Sequence, residues 1–112
     1  MIINYKNKKI DIPVKKVSNI GEITGLMFKS NKTENLLFEF NKKTNMRIHS
    51  FFVFFNFFVI WLNEKNQVIE WKVIKPFTLS VSPKKPFSKL VEIPFNNENK
   101  EIRHFFDGKG KV

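Results

Sequence analysis

Phe51-Phe52-Val53-Phe54-Phe55-Asn56-Phe57-Phe58-Val59-Ile60-Trp61-Leu62 is a run of eleven apolar residues broken by one amide, and its reading decides the fold. A helix that crosses a bilayer needs about 20 apolar residues, so a twelve-residue run with Asn56 at its middle is not a transmembrane span. Phe, Val, Ile and Trp favour strands. A single strand of this length would reach roughly 40 Å, too far for a small domain, so the run is expected to break near Asn56. Phe52, Phe54, Phe58 and Ile60 fall on one face and Phe51, Val53, Phe55, Val59 and Trp61 on the other. Strands apolar on both faces are covered on both sides. Phe52, Phe54, Val59 and Trp61 are therefore expected to be almost fully buried.

Outward from this run, turn residues punctuate short strands, the pattern of a mainly β chain. Met1–Tyr5 and Lys9–Val17 read as a hairpin closed by Lys6-Asn7-Lys8, with Pro13 marking the second as an edge strand. Asn19, followed by Glu22 three residues on, forms a capping box, and Ile20, Ile23 and Met27 share a helical face, so residues 18–28 read as a short helix. Leu36–Phe40 alternates as a strand, and 41–45 is a polar loop. Asn63-Glu64-Lys65-Asn66 joins Trp61-Leu62 to the alternating Val68–Ile74, the clearest hairpin in the chain. Pro76, Pro83 and Pro86 mark an irregular connection. Leu90–Ile93 is the last strand, stopped by Pro94, and Ile102–Phe106 forms a brief helical turn in a polar tail.

The fold class that follows is β-rich with one or two short helices, a small antiparallel sheet of barrel-like or sandwich-like form. At 112 residues the chain has the size of one domain, with 14 Phe to fill its core. The absence of cysteine excludes disulfides and thiolate chemistry and leaves the redox compartment open. The first residues lack the apolar stretch of a secretory signal, and a cytoplasmic location is expected.

The formal net charge is +10, and a basic chain gains affinity for phosphates by releasing counterions. Composition offers a plainer account. Lys, Asn, Ile and Phe supply 57 of the 112 residues, and all four have A/T-rich codons, so base composition alone enriches lysine. The basic residues are spread along the chain, and only Arg47 and Arg103 are arginines. Base readout favours arginine, so any nucleic-acid contact is expected with the backbone and without sequence specificity.

Gly25-Leu26-Met27-Phe28-Lys29, Leu36–Phe40, His49–Phe55, Ile60-Trp61-Leu62, Pro83-Lys84-Lys85-Pro86 and Val91-Glu92-Ile93-Pro94 occur in an order and spacing that resembles one family. It is the archaeal branch of domain of unknown function 192, also catalogued as uncharacterised protein family 0127. The resemblance covers about residues 9–95, leaving 96–112 as a divergent polar tail. It implies a compact β-rich fold with a short helix before the Gly-Leu-Met-Phe element, and no established activity. Where the family has Pro-Ile-Asp or Pro-Leu-Asp, this chain has Asn56-Phe57-Phe58, which places Phe58 at the acidic position. Leu-Asp becomes Leu62-Asn63, and Pro-Ala-Gly becomes Pro94-Phe95-Asn96. If the family has a cleft there, Phe58 should plug it.

No spacing amounts to a catalytic signature. His49 and His104 lie far apart in sequence, and no cysteine or nearby carboxylate completes a metal-ligand pattern. Ser50 adjoins His49, but neighbours on a strand point to opposite faces, so they make no nucleophile and base. Gly108-Lys109-Gly110-Lys111 lacks the spacing of a phosphate loop and reads as a flexible tail. Lys29, which follows the Gly-Leu-Met-Phe element, Lys84 and Lys85 in their proline-framed loop, and His49 remain as candidate anion ligands. The leading expectation is a non-enzymatic binding module without a cofactor, taking an anionic small molecule, a peptide carboxylate or a nucleic-acid backbone. A homo-oligomer formed through surplus Phe and a diverged enzyme are the alternatives.

Overall fold

In a computed structural model, which describes residues 1–17, 26, 29–50 and 52–107, the aromatic run breaks where the amide falls. Its second half, Phe57–Leu62, is a strand buried along its whole length. Pleat alternation sends Phe57, Val59 and Trp61 into one core and Phe58, Ile60 and Leu62 into another. The result is a sandwich-like β fold rather than a closed barrel.

Among the described residues, seven strands precede one helix. They are β1 (Ile2–Tyr5), β2 (Lys8–Asp11), β3 (Lys15–Lys16), β4 (Leu36–Thr44), β5 (Phe57–Leu62), β6 (Val68–Ile74) and β7 (Phe87–Pro94), followed by a 3-10 turn (Asn97–Asn99) and α1 (Lys100–Asp107). The main sheet has the order β3-β4-β7-β5-β6. It is antiparallel except where β3 pairs in parallel with β4. β1 and β2 form a separate hairpin. Lys6 and Asn7, both at positive φ (48° and 65°), make its two-residue turn, the geometry that matches strand twist.

The second core lies beneath the β1–β2 hairpin and α1, which contribute Ile3, Ile102 and Phe106 to it. The first core is covered by the connections on either side of the β5–β6 hairpin, through Ile48, Val53 and Val81, and by Leu26. Ile48 and Val81 exchange two backbone hydrogen bonds of 2.8 Å, so these connections run together as a ribbon.

Several expectations are corrected. Residues 52–55 form no strand, and Phe52 and Phe54 are 47% and 61% exposed, whereas Val59 and Trp61 are fully buried. The cause is local. The Ser50 side chain is tied to the loop after β6, and Phe52 adopts φ 59°, which turns the chain before a ladder can form. The second strand of the first hairpin ends at Asp11, and Pro13 separates it from β3. β4 continues through the expected loop to Thr44, with a register irregularity after Glu39. The supposed polar tail packs down through Ile102 and Phe106, four residues apart on one helical face. The expected helix at 18–28 and the tail at 108–112 lie outside the described residues, Leu26 excepted.

Exposure of Phe54 carries a prediction. Phe54→Ala should change stability by less than about 1 kcal/mol, whereas Trp61→Ala should cost about 3–5 kcal/mol. Urea denaturation midpoints of the two variants check the difference.

Candidate functional site

Phe58 is fully buried, with its ring centroid 5.5 Å from that of Trp71, 5.1 Å from Phe95 and 6.2 Å from Phe106. It is core packing under α1, in place of the cleft plug expected from the resemblance. The four candidate anion ligands do not converge. Lys29 is exposed in the loop whose Asn31 exchanges hydrogen bonds with Phe95 and Asn96, at the end of β7. Lys84 and Lys85 are exposed just before the start of β7. Eight residues of strand, roughly 23 Å at about 3.3 Å each, separate the two places. His49 is exposed on the ribbon between buried Ile48 and buried Ser50.

Two residues before His49 stands the side chain around which a site does assemble. A groove of about 460 Å³ runs between β6 and the 78–82 segment, lined by Arg47, Lys72, Lys75, Thr78, Ser80 and Ser82 among others, with no carboxylate in the lining. The Arg47 guanidinium donates through Nε to the Ser80 hydroxyl and through Nη1 to the Ser82 hydroxyl, the latter at 3.1 Å. A guanidinium has five N–H donors in a rigid fork. Two are used to hold it, and among the described residues the other three have no protein acceptor. Among the described residues no carboxylate is ion-paired with Arg47 or Lys75.

Lys72 also lines the groove. Its ammonium lies 5.8 Å from the centroid of the buried Trp61 ring, donates to the Ser82 carbonyl at 3.3 Å and pairs with Glu70 at 3.3 Å. The other Glu70 oxygen accepts the Lys84 backbone N–H at 3.0 Å. Burial works to raise the Glu70 carboxyl, but the Lys84 N–H and the Lys72 ammonium outweigh it and hold the group below its ordinary value. Glu70 thus fixes both the Lys72 head group and the turn carrying Lys84.

Ser50 braces two of the lining residues, Lys75 and Thr78. Buried and exposed to no solvent, it donates to the Lys75 carbonyl at 2.6 Å and accepts the Thr78 N–H at 2.5 Å. Its own backbone N–H and C=O pair with Thr78 and Phe77 at 3.0 and 2.9 Å. These bonds pin Lys75 and Thr78 as groove walls and hold Phe77 against Phe54, ring centroids 5.4 Å apart.

A second cleft, about 560 Å³, lies at the other end of the sheet and includes Lys32, Arg103 and Glu98. Its arginine is already stacked on Phe95, 4.1 Å from the ring centroid, and a carboxylate shares the lining. A third, about 190 Å³, is floored by Asn35 and Asn99, which satisfy each other through amide bonds of 3.2 and 2.9 Å. Neither matches the Arg47 groove, where among the described residues Arg47 and Lys75 have no carboxylate partner and only Lys72 is paired, with Glu70. Among the described residues no three His, Cys, Asp or Glu side chains gather to hold a metal, and no helix is long and apolar enough to cross a membrane.

One buried carboxyl stands apart from the grooves. Glu92 pairs across the sheet with Leu36 and Val59, which places its side chain on the face of the first core. Its Oε1 has no hydrogen-bond partner among the described residues, and burial pushes the carboxyl up to about 7. No alternation rule signals this, because a glutamate between Val91 and Ile93 reads as the solvent face of a strand. Arg47 was equally hard to find from sequence. Its serine partners lie more than thirty residues downstream, with Ser80 and Ser82 at alternate positions of a loop as the one available hint.

No family model and no curated protein matches the sequence. Two solved structures share the fold over 91% of this chain, each at 11% identity. A protein of unknown function from Novosphingobium aromaticivorans DSM 12444 matches over 75% of its own length with a TM-score of 0.71. A candidate transcription regulator from Sinorhizobium meliloti 1021 matches over 82% of its length with a TM-score of 0.72. The chain is similar to both in architecture, and the likeness shows the fold alone.

Proposed function

We propose that this chain is a non-enzymatic binding module whose ligand is anionic and phosphate-bearing, held in the groove between β6 and the 78–82 segment. The observation that carries the reading is Arg47: its guanidinium is fixed by two serine hydroxyls, keeps three N–H donors in hand and shares the groove lining with Lys75, which has no carboxylate partner among the described residues, and with Lys72, which is paired with Glu70. A planar fork preset in this way suits bidentate contact with phosphate oxygens. His49 lies two residues from Arg47 in the chain and Lys84 two residues from Ser82, both exposed, and neither is among the residues that line the groove. Lys29 belongs to the far end of the sheet and plays no part.

A relationship to domain of unknown function 192 is proposed on the order of sequence elements alone. A transcription-related role for one structural neighbour is compatible with a phosphate-bearing partner here.

Pyrophosphate titrated calorimetrically at low salt should bind wild-type protein, and Arg47→Ala should weaken it about tenfold or more, the value of one or two charge-assisted hydrogen bonds. Arg47→Lys should recover only part of the loss, because a point charge replaces the fork. Equal affinity in wild type and Arg47→Ala would place the anion elsewhere.

A further inference from the structure

Resting on the anion groove just described, we infer that its occupant is single-stranded nucleic acid, with phosphates on Arg47, Lys72 and Lys75 and bases stacked on an exposed shelf of Phe54 and Phe77. The shelf adjoins the groove directly. Phe77 is flanked in the chain by two groove-lining residues, Lys75 two positions before it and Thr78 immediately after. It is 49% exposed, Phe54 is 61% exposed and Phe52 47% exposed. Phe77 meets Phe54 edge to face with centroids 5.4 Å apart and Phe52 with centroids 6.5 Å apart. Isolated exposed apolar residues need no explanation, but a contiguous cluster does.

The backbone adds an independent observation. Phe52 and Phe77 both have left-handed conformations, φ 59° and 60°. For bulky side chains this region is unfavourable, and such strain persists where surrounding bonds enforce it. Here the Ser50 hydrogen bonds do so, at the cost of leaving both rings about half exposed rather than in the core. Charge decides what covers them. A polyanion with flat π faces satisfies both halves of the site at once, since sequence-tolerant binders of single strands combine a basic groove with aromatic platforms. An acidic partner without rings would use only the groove, and a second copy of this chain, itself at +10, would bring like charge to the same place.

The test uses the full chain and three probes of about ten nucleotides' length or equivalent charge: oligothymidylate, a DNA duplex and inorganic polyphosphate. Fluorescence anisotropy should show oligothymidylate binding more tightly than duplex or polyphosphate. With three phosphate contacts, a fourfold rise in salt should weaken it roughly twentyfold. Phe54→Leu, which keeps an apolar side chain and removes the ring, should reduce oligothymidylate affinity at least fivefold and leave polyphosphate unchanged. Phe54→Trp should retain or strengthen binding. Arg47→Ala should weaken all three probes.

Equal affinity for single strand, duplex and polyphosphate, or no effect of Phe54→Leu on oligothymidylate, would overturn the stacking inference while leaving the anion groove in place. Failure of every polyanion to bind would remove the groove reading itself. Should sedimentation instead show a dimer that Phe54→Leu dissociates, with oligothymidylate affinity unaltered, the shelf is a self-association face and the inference is wrong.

Discussion

Phe58→Asp should abolish the folded state. Phe58 is fully buried and surrounded by the rings of Trp71, Phe95 and Phe106, so removing its ring alone should cost about 3–5 kcal/mol. A carboxyl placed there meets three aromatic rings, and its burial without a partner adds several kcal/mol more. A domain of this size has about 5–15 kcal/mol of stability to lose. Phe58→Leu, by contrast, keeps the site apolar and should cost less than about 2 kcal/mol. Far-ultraviolet circular dichroism and amide signal dispersion distinguish the two variants. A well-folded Phe58→Asp protein would mean that the region opens into a solvated cleft, as an acidic residue at the corresponding position of the resembled family would require.

The next largest effect is a loss of stability as pH rises. Glu92 has its carboxyl pushed from an ordinary 4.5 up to about 7 by burial on the first-core face of the sheet. Between those values the native state keeps a proton that the unfolded chain has released, so the contribution of this group falls as pH increases from about 4.5 and levels off above about 7. The total is on the order of 3 kcal/mol. Urea midpoints near about pH 5 and about pH 8 should show the wild type less stable at the higher value, and Glu92→Gln should remove most of that difference. An equal drop in Glu92→Gln would assign the titration to another group.

Local rules made part of the fold legible. The β5–β6 hairpin was readable because Val68–Ile74 alternates and the Asn63–Asn66 turn carries its own closure: Asn63 Oδ1 accepts the N–H groups of Lys65 and Gln67 at 2.9 and 3.0 Å. Asn56 as a break was readable from length alone. The error at Phe52 and Phe54 shows what apolarity omits. Strand propensity and alternation treat every Phe in the run alike, whereas Ser50, reaching across 25 and 28 residues to Lys75 and Thr78, decides which of them enter the core. A similar limit applied to α1, where Ile102 and Phe106 were visible at helical spacing but the polar residues around them suggested a tail.

The proposed binding surface was hidden for the same reason. Lys29, His49, Lys84 and Lys85 were chosen from sequence neighbourhood and family resemblance, while the groove is built by a contact between two loops on either side of β5 and β6. Net charge drew attention to lysine, the commonest basic residue. Arg47 differs from the lysines in having a fixed orientation, and only the pairing of Ile48 with Val81 brings Ser80 and Ser82 beneath it.

Location is the central claim, and amide chemical-shift mapping during titration with pyrophosphate tests it most directly. Shifts are expected at Arg47, at Lys72–Lys75 and through Thr78–Ser82. Shifts gathered instead at Lys32, Asn96–Glu98 and Arg103, or an unchanged spectrum at saturating pyrophosphate, would contradict the assignment of the site to the Arg47 groove.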